Sequence, residues 1–288
     1  LLIQRIITAL VLAPAAISAI FYLSLIDLAI LLMVVIGIGA WEWAPLMGLK
    51  SKLKRSSYVV ITSALIAGIW WSISPSSLWI NTEQLNSLAI SILWLAVAWW
   101  FASTLLIFSY PKVTGFWLKY RFTRGVFGWL TLVPTWLAFM VIRTNDYQAD
   151  SYHGAQLLMF LFLMVWSADV GAYFVGKALG KRKLMPNVSP GKSIEGFLGG
   201  VVFACALTLI TALVLEWTSE QIITVLLVTV LITTISVVGD LSESMFKRQA
   251  GVKDSGSILP GHGGILDRID SLTATAPVFA LCYIFFGW

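Results

Sequence analysis

Nine long apolar runs constrain this 288-residue chain more than any motif does. They lie at about 6–23, 25–47, 57–74, 87–109, 125–142, 156–176, 194–215, 221–239 and 272–287. A helix of about 20 apolar residues crosses a bilayer core. Within lipid, every backbone polar group must be satisfied inside the segment, and these runs are too long and continuous for barrel strands. The expected fold class is therefore all-α, a polytopic membrane protein with about nine transmembrane helices and no need of strands anywhere. Composition agrees: 59% of residues are hydrophobic and 11% charged, against about 25% charged in soluble domains. That excludes an ordinary water-soluble enzyme, and a disordered chain as well. Arg5 followed by Ala13, Pro14 and Ala15 imitates a signal peptide. A second apolar run follows at once, so an uncleaved first span is expected.

The basic residues alternate between loops. Lys50, Lys52, Lys54 and Arg55 follow the second run, and Lys112, Lys119, Arg121 and Arg124 the fourth. Lys177, Lys181, Arg182, Lys183 and Lys192 follow the sixth, and Lys247, Arg248, Lys253 and Arg268 the eighth. The intervening loops hold Asp27, Glu83, Asp146, Asp150, Glu216 and Glu220, with Arg143 their only base. By the positive-inside rule the basic loops face the cytoplasm. The N-terminus is then cytoplasmic and the C-terminus outside. The net charge of +5 thus records orientation, and nucleic acid is not an expected partner.

Cys205 and Cys282 lie in apolar runs with no metal or disulfide spacing, and read as small buried hydrophobes. Trp41, Trp43, Trp70, Trp71 and Trp217 sit near run ends and read as an interfacial belt. Residues 1–155 are plain spans and short loops, about five spans in all. Residues 156–288 hold nearly all the unusual residues and are the expected catalytic region, with cytoplasmic loops at 177–193 and 240–271.

Asp169 lies inside the sixth run. Burial there costs roughly 2.5–3.5 kcal/mol, so it either pairs with a lysine or faces a water-filled cavity, and the second is favoured. Gly171, Gly176 and Lys177 imitate a phosphate loop, but Ala178 replaces the metal-binding hydroxyl and the setting is a span. Gly171, Ala172 and Gly176 read instead as close helix packing. Ser189-Pro190-Gly191-Lys192-Ser193 precedes the seventh run. Pro190 suits a helix start, a serine can cap it, and its free amides with Lys192 could hold a phosphate.

Asp240 to Ser271 is dense in both signs of charge. If the eighth run continues as a helix, Asp240, Ser244 and Lys247 share one face. Asp267 and Asp270 are i and i+3 if the ninth begins early. Pro260-Gly261-His262-Gly263-Gly264 should form a tight loop with accessible amides. Carboxylates can share Mg²⁺, and basic side chains and glycine amides can hold phosphate oxygens. Candidate phosphate contacts are Ser189, Lys192, Lys247, Arg248, His262, Gly263, Gly264 and Arg268. Together these are the parts of phosphoryl or nucleotidyl transfer.

The residues Ser244-x-Phe246-Lys247-Arg248, Lys253-Asp254-x-Gly256 and Leu259-Pro260-x-His262-Gly263-Gly264-Ile265-x-Asp267-Arg268-Ile269-Asp270 resemble the signature of the bacterial phosphatidate cytidylyltransferases, or CDP-diglyceride synthases. The resemblance implies the reaction of CTP with phosphatidic acid to give CDP-diacylglycerol and pyrophosphate. It implies Mg²⁺ on Asp240 and Asp267, and a second cation such as K⁺. It further implies functional roles for Asp169, Lys192, Ser244, Lys247 and Asp270, a homodimer, and a place in the bacterial inner membrane. A CTP-dependent polyprenol kinase is the alternative expectation, and an ion-coupled transporter a weaker one, because no pair of interrupted helices is visible.

Overall fold

The computed structural model describes residues 2–74, 77–79, 84–112 and 114–288, without the side chains of residues 2–7, 9, 116 and 118. Glu83 and the side chain of Arg5 fall outside the described residues. The helices are α1 (Leu2–Tyr22), α2 (Leu25–Leu46), α3 (Lys52–Ser72), α4 (Ser87–Ser109), α5 (Gly115–Lys119), α6 (Arg121–Arg143), α7 (His153–Leu179), α8 (Ile194–Val214), α9 (Ser219–Ala250) and α10 (Leu266–Phe286). All but the short α5 are 21 residues or longer. They answer one for one to the nine apolar runs. Seven of them, α2, α4 and α6 to α10, are long and apolar enough by themselves to cross a membrane.

Capping residues set the starts. Ser24, Ser51, Asn86 and Ser193 each accept a backbone N–H in the first turn of α2, α3, α4 and α8. Thr218 and Gln221 form a reciprocal capping box on α9, which satisfies donors that a helix start leaves free. Gly251 closes α9 with φ +73°, a conformation that disfavours residues bearing a Cβ.

Helices α6 and α10 form the centre. Every residue from Thr131 to Arg143 is buried, as is every residue from Ser271 to Cys282. A helix apolar on all sides belongs in such a position. Around them, α8 and α9 expose Val202, Ile210, Leu213, Ile223 and Leu227 on outer faces, as lipid contact requires.

Three expectations need correction. Strands do occur: β1 (Lys183–Met185) and β2 (Ser189–Ser193) pair antiparallel, between α7 and α8. The requirement for helices holds in lipid, and this hairpin stands in a loop. Pro190 consequently lies in β2, four residues before α8, and Ser193 supplies the cap. Trp43 is no interfacial residue. It is 2% exposed, donates from Nε1 to the Arg124 carbonyl at 2.9 Å, and packs on Phe246 at 4.9 Å between ring centres. Trp71, by contrast, is 93% exposed. Of the two free cysteines Cys282 is buried, whereas Cys205 is partly exposed.

The antiparallel course gathers the C-terminal ends of α2, α7 and α9 with the N-terminal ends of α6, α8 and α10. Contacts between Trp43 and Arg124, Glu42 and Leu266, and Lys192 and Asp240 tie that end together. At the opposite end Arg143 donates to the carbonyls of Ile20 and Ser151, and His153 meets Tyr283.

Candidate active site

Glycines let α7 and α8 meet backbone to backbone. A Cβ on Gly171 would stand 2.6 Å from the Gly199 carbonyl oxygen, and one on Gly200 would stand 2.8 Å from that of Ala168. The packing role read for the small residues of α7 is borne out. Beside this contact a cavity of about 390 Å³ opens between α7, α8, α9 and the hairpin. Its wall includes Asp169, Lys192, Ser193, Thr233, Ser236 and Asp240 alongside Ala168, Ala172, Gly196, Phe197 and Val237.

Asp169 faces this cavity and is solvent-accessible. Lys192, at the end of the hairpin, places Nζ 2.6 Å from Asp240 Oδ2. Ser244 donates to the other oxygen, Oδ1, at 3.2 Å. Asp169 interacts electrostatically with Lys192, Asp240 and Arg268. The Thr233 hydroxyl is buried with no partner among the described residues. One turn nearer the start of α9, Thr229 instead donates to the Val225 carbonyl at 2.7 Å.

Behind the cavity lies a second cluster, almost sealed. Helix α9 runs unbroken to Ala250 and α10 begins at Leu266, so both helical spacings expected for this stretch are present. A Cβ on Gly239 would stand 2.5 Å from the Asp270 carbonyl oxygen. That close crossing brings the carboxylates of α9 and α10 into one region. Lys247 is 7% exposed, with Nζ 2.5 Å from Asp267 Oδ1 and 3.3 Å from Glu243 Oε2. Asp267 Oδ2 accepts from the Ser255 N–H at 2.9 Å, the Ser255 hydroxyl at 2.9 Å and the Gly264 N–H at 2.8 Å. Asp270 interacts electrostatically with Glu243, Lys247 and Asp240, joining the two clusters.

The loop between them is tight, as its glycines require. Gly261 and Gly263 have φ of +74° and +78°, and Leu259 pairs with Gly263 in a single bridge. Gly263 would bring a Cβ 2.7 Å from Asp267 Oδ2. His262 is half-buried, and its Nδ1 has no partner among the described residues. Arg268 is exposed. Arg248 donates from Nε to the Val188 carbonyl at 3.2 Å, and so binds the hairpin to α9. Ser189 pairs with Met185 in the hairpin and does not line the cavity. Asp169, Lys192 and Asp240 thus share one wall, Lys247, Asp267 and Asp270 a buried core behind it, and Ser189 and Arg248 stand at the hairpin.

Glu42 escaped the sequence reading. It is 1% exposed near the end of α2 and accepts from the N–H of Leu266 at 2.8 Å and of Ile265 at 3.2 Å. The Ser255 hydroxyl lies 3.3 Å from its Oε2. Its one signal was to be the sole acid in the C-terminal two-thirds of an otherwise apolar run.

The donor chemistry fits Mg²⁺, which takes oxygen ligands, commonly one or two carboxylates together with substrate phosphates. Asp240 presents a carboxylate whose side chain is 34% exposed. Asp267 Oδ1 receives Lys247 alone among the described residues, and so retains acceptor capacity. No group of three or more Asp, Glu, His or Cys able to hold a metal occurs among the described residues. Substrate oxygens would therefore have to complete the coordination.

Residues 3–286 match the model of the cytidylyltransferase family. The chain is 43% identical to a phosphatidate cytidylyltransferase of Pseudomonas aeruginosa over 285 residues, covering 99% of this chain and 98% of the relative. It is 41% identical to a phosphatidate cytidylyltransferase of Haemophilus influenzae, covering 98% of each. A Bacillus subtilis protein of the same name is 42% identical over 180 residues, covering 61% of this chain and 63% of the relative.

Proposed function

Because the chain belongs to the cytidylyltransferase family, we propose that it transfers CMP from CTP to phosphatidic acid, giving CDP-diacylglycerol and pyrophosphate. One observation carries this reading to the site: a cavity between apolar helices holds Asp169, Lys192 and Asp240 at the basic end of the bundle. A lipid can reach such a place from the bilayer while its phosphate meets a nucleotide arriving from water. The basic end faces the cytoplasm in this reading, the membrane is the bacterial inner membrane, and a second copy completes a homodimer.

A phosphate oxygen of the lipid attacks the α-phosphorus of CTP. The bond from that phosphorus to the bridging oxygen breaks, and pyrophosphate leaves with the electron pair. A phosphate monoester has a second pKa near 6, so the attacking oxygen is already anionic and needs no strong base. The harder task is bringing two polyanions together. Lys192 and the exposed Arg268 are the cations placed to neutralise phosphate oxygens, Arg268 by a bidentate contact. Lys247 is already matched by Glu243 and Asp267, so its part is to hold those carboxylates in place. The amides of Gly263 and the loop around His262 stand beside them. Mg²⁺, held by Asp240 and Asp267, would supply further charge neutralisation at the phosphates, and K⁺ would occupy a second cation position. The unpartnered Thr233 hydroxyl gives the cavity a donor for an oxygen of the bound lipid.

The test is turnover by the purified full-length chain with phosphatidic acid and CTP labelled at either phosphorus. Label from the α-position should appear in the lipid. Transfer of γ-label to a lipid would identify a kinase instead, and absence of both would overturn the assignment.

A further inference from the structure

We infer that Glu42 is a positioning residue for this reaction, acting from α2 on the loop and helix start that present Asp267; the inference rests on the proposed role of Asp267. The observation behind it is a helix start capped from elsewhere. The N-cap of α10 is Ile265, whose side chain makes no capping hydrogen bond. Its orphan amides are instead taken by Glu42, with Oε1 accepting from Ile265 and Oε2 from Leu266. A carboxylate is well matched to that position, because free N–H groups and the positive end of the helix dipole converge there.

The contact continues to Asp267 through Ser255. The Ser255 hydroxyl stands between the two carboxylates, its Oγ 2.9 Å from Asp267 Oδ2 and 3.3 Å from Glu42 Oε2. The glycines confirm how closely Glu42 is enclosed. A Cβ on Gly256 or on Gly264 would collide with its carboxylate. Two positions of the 244–270 motif are thus glycine because a side chain from α2 fills the space beside them. Glu42 itself does not line the cavity, and its hydrogen bonds end on Ser255, Ile265 and Leu266, the groups that hold Asp267.

The test is a double-mutant cycle on the full-length chain, with rates expressed per folded molecule in detergent. Glu42→Ala should lower kcat by about tenfold or more, with the KM for CTP changed by less than about threefold. Glu42→Gln keeps one carbonyl acceptor and should recover part of the loss. In the Asp267→Asn background, Glu42→Ala should cost less than about threefold, because residues acting as one unit are not additive. Equal losses in both backgrounds, or an undiminished kcat in Glu42→Ala, would overturn the inference. If Glu42→Ala does not accumulate as folded protein, Glu42→Gln carries the same cycle. Failure of the wild-type chain to move α-label into lipid is a separate result, and bears on the reaction itself.

Discussion

Two lysines of the site have opposite physical characters. Lys192 pairs with Asp240 where both side chains are about one-third exposed, and such a pair contributes about 0–1 kcal/mol to stability. Lys192→Met should leave the unfolding midpoint in detergent nearly unchanged while reducing turnover by about a hundredfold, as removal of a charge-stabilising donor does. Lys247 sits between Glu243 and Asp267, all three side chains less than 10% exposed. Lys247→Met strands two buried carboxylates, which costs about 3–5 kcal/mol. Its thermal midpoint should fall steeply, and a midpoint within a degree of wild type would contradict the sealed geometry. The same distinction explains what was legible. Asp240, Lys247 and Asp267 stood out through their spacing in one segment. Glu42 did not, because its partners lie more than 200 positions away and no local pattern encodes such a contact.

At the scale of elements, α9 is the member that reaches from lipid to chemistry. Its 32 residues extend about 48 Å at 1.5 Å per residue, well beyond a hydrocarbon core of about 30 Å. The surplus is its last three turns, which carry Asp240, Glu243, Ser244 and Lys247. Gly239 stands at the point where α9 crosses α10, with room for no side chain. Gly239→Ala forces the two backbones apart and should cost about 1–3 kcal/mol by overpacking, read as a lower thermal midpoint. Turnover per folded molecule should fall as well, since the crossing aligns Asp240 with Asp270. The spans were readable because apolar length is a property of each run alone. The hairpin was not: its strands are only three and five residues long, and its tie to the bundle, Arg248 of α9 donating to the Val188 carbonyl, joins positions 60 apart.

For the whole molecule, the basic loops and the site occupy the same end, and the acidic loops the other. The proposed sidedness rests on that separation. In a chain with Cys205→Ser and Cys282→Ala, a cysteine at Lys112 or Lys183 should resist a membrane-impermeant thiol reagent applied outside intact cells. A cysteine at Asp146 or Glu220 should react. The reverse pattern would invert the proposed orientation.

The cap on α10 also bears on the order in which the protein is made. Glu42 emerges in the second helix, and the amides that match it belong to the last, 224 positions later. Through most of synthesis this acid sits in an apolar helix without those partners, where an unmatched carboxylate is costly. Completion of the tenth helix relieves that cost and organises the loop beside Asp267 in the same event. The acid of α2 is thus matched only where α10, which carries Asp267 and Asp270, is already in place.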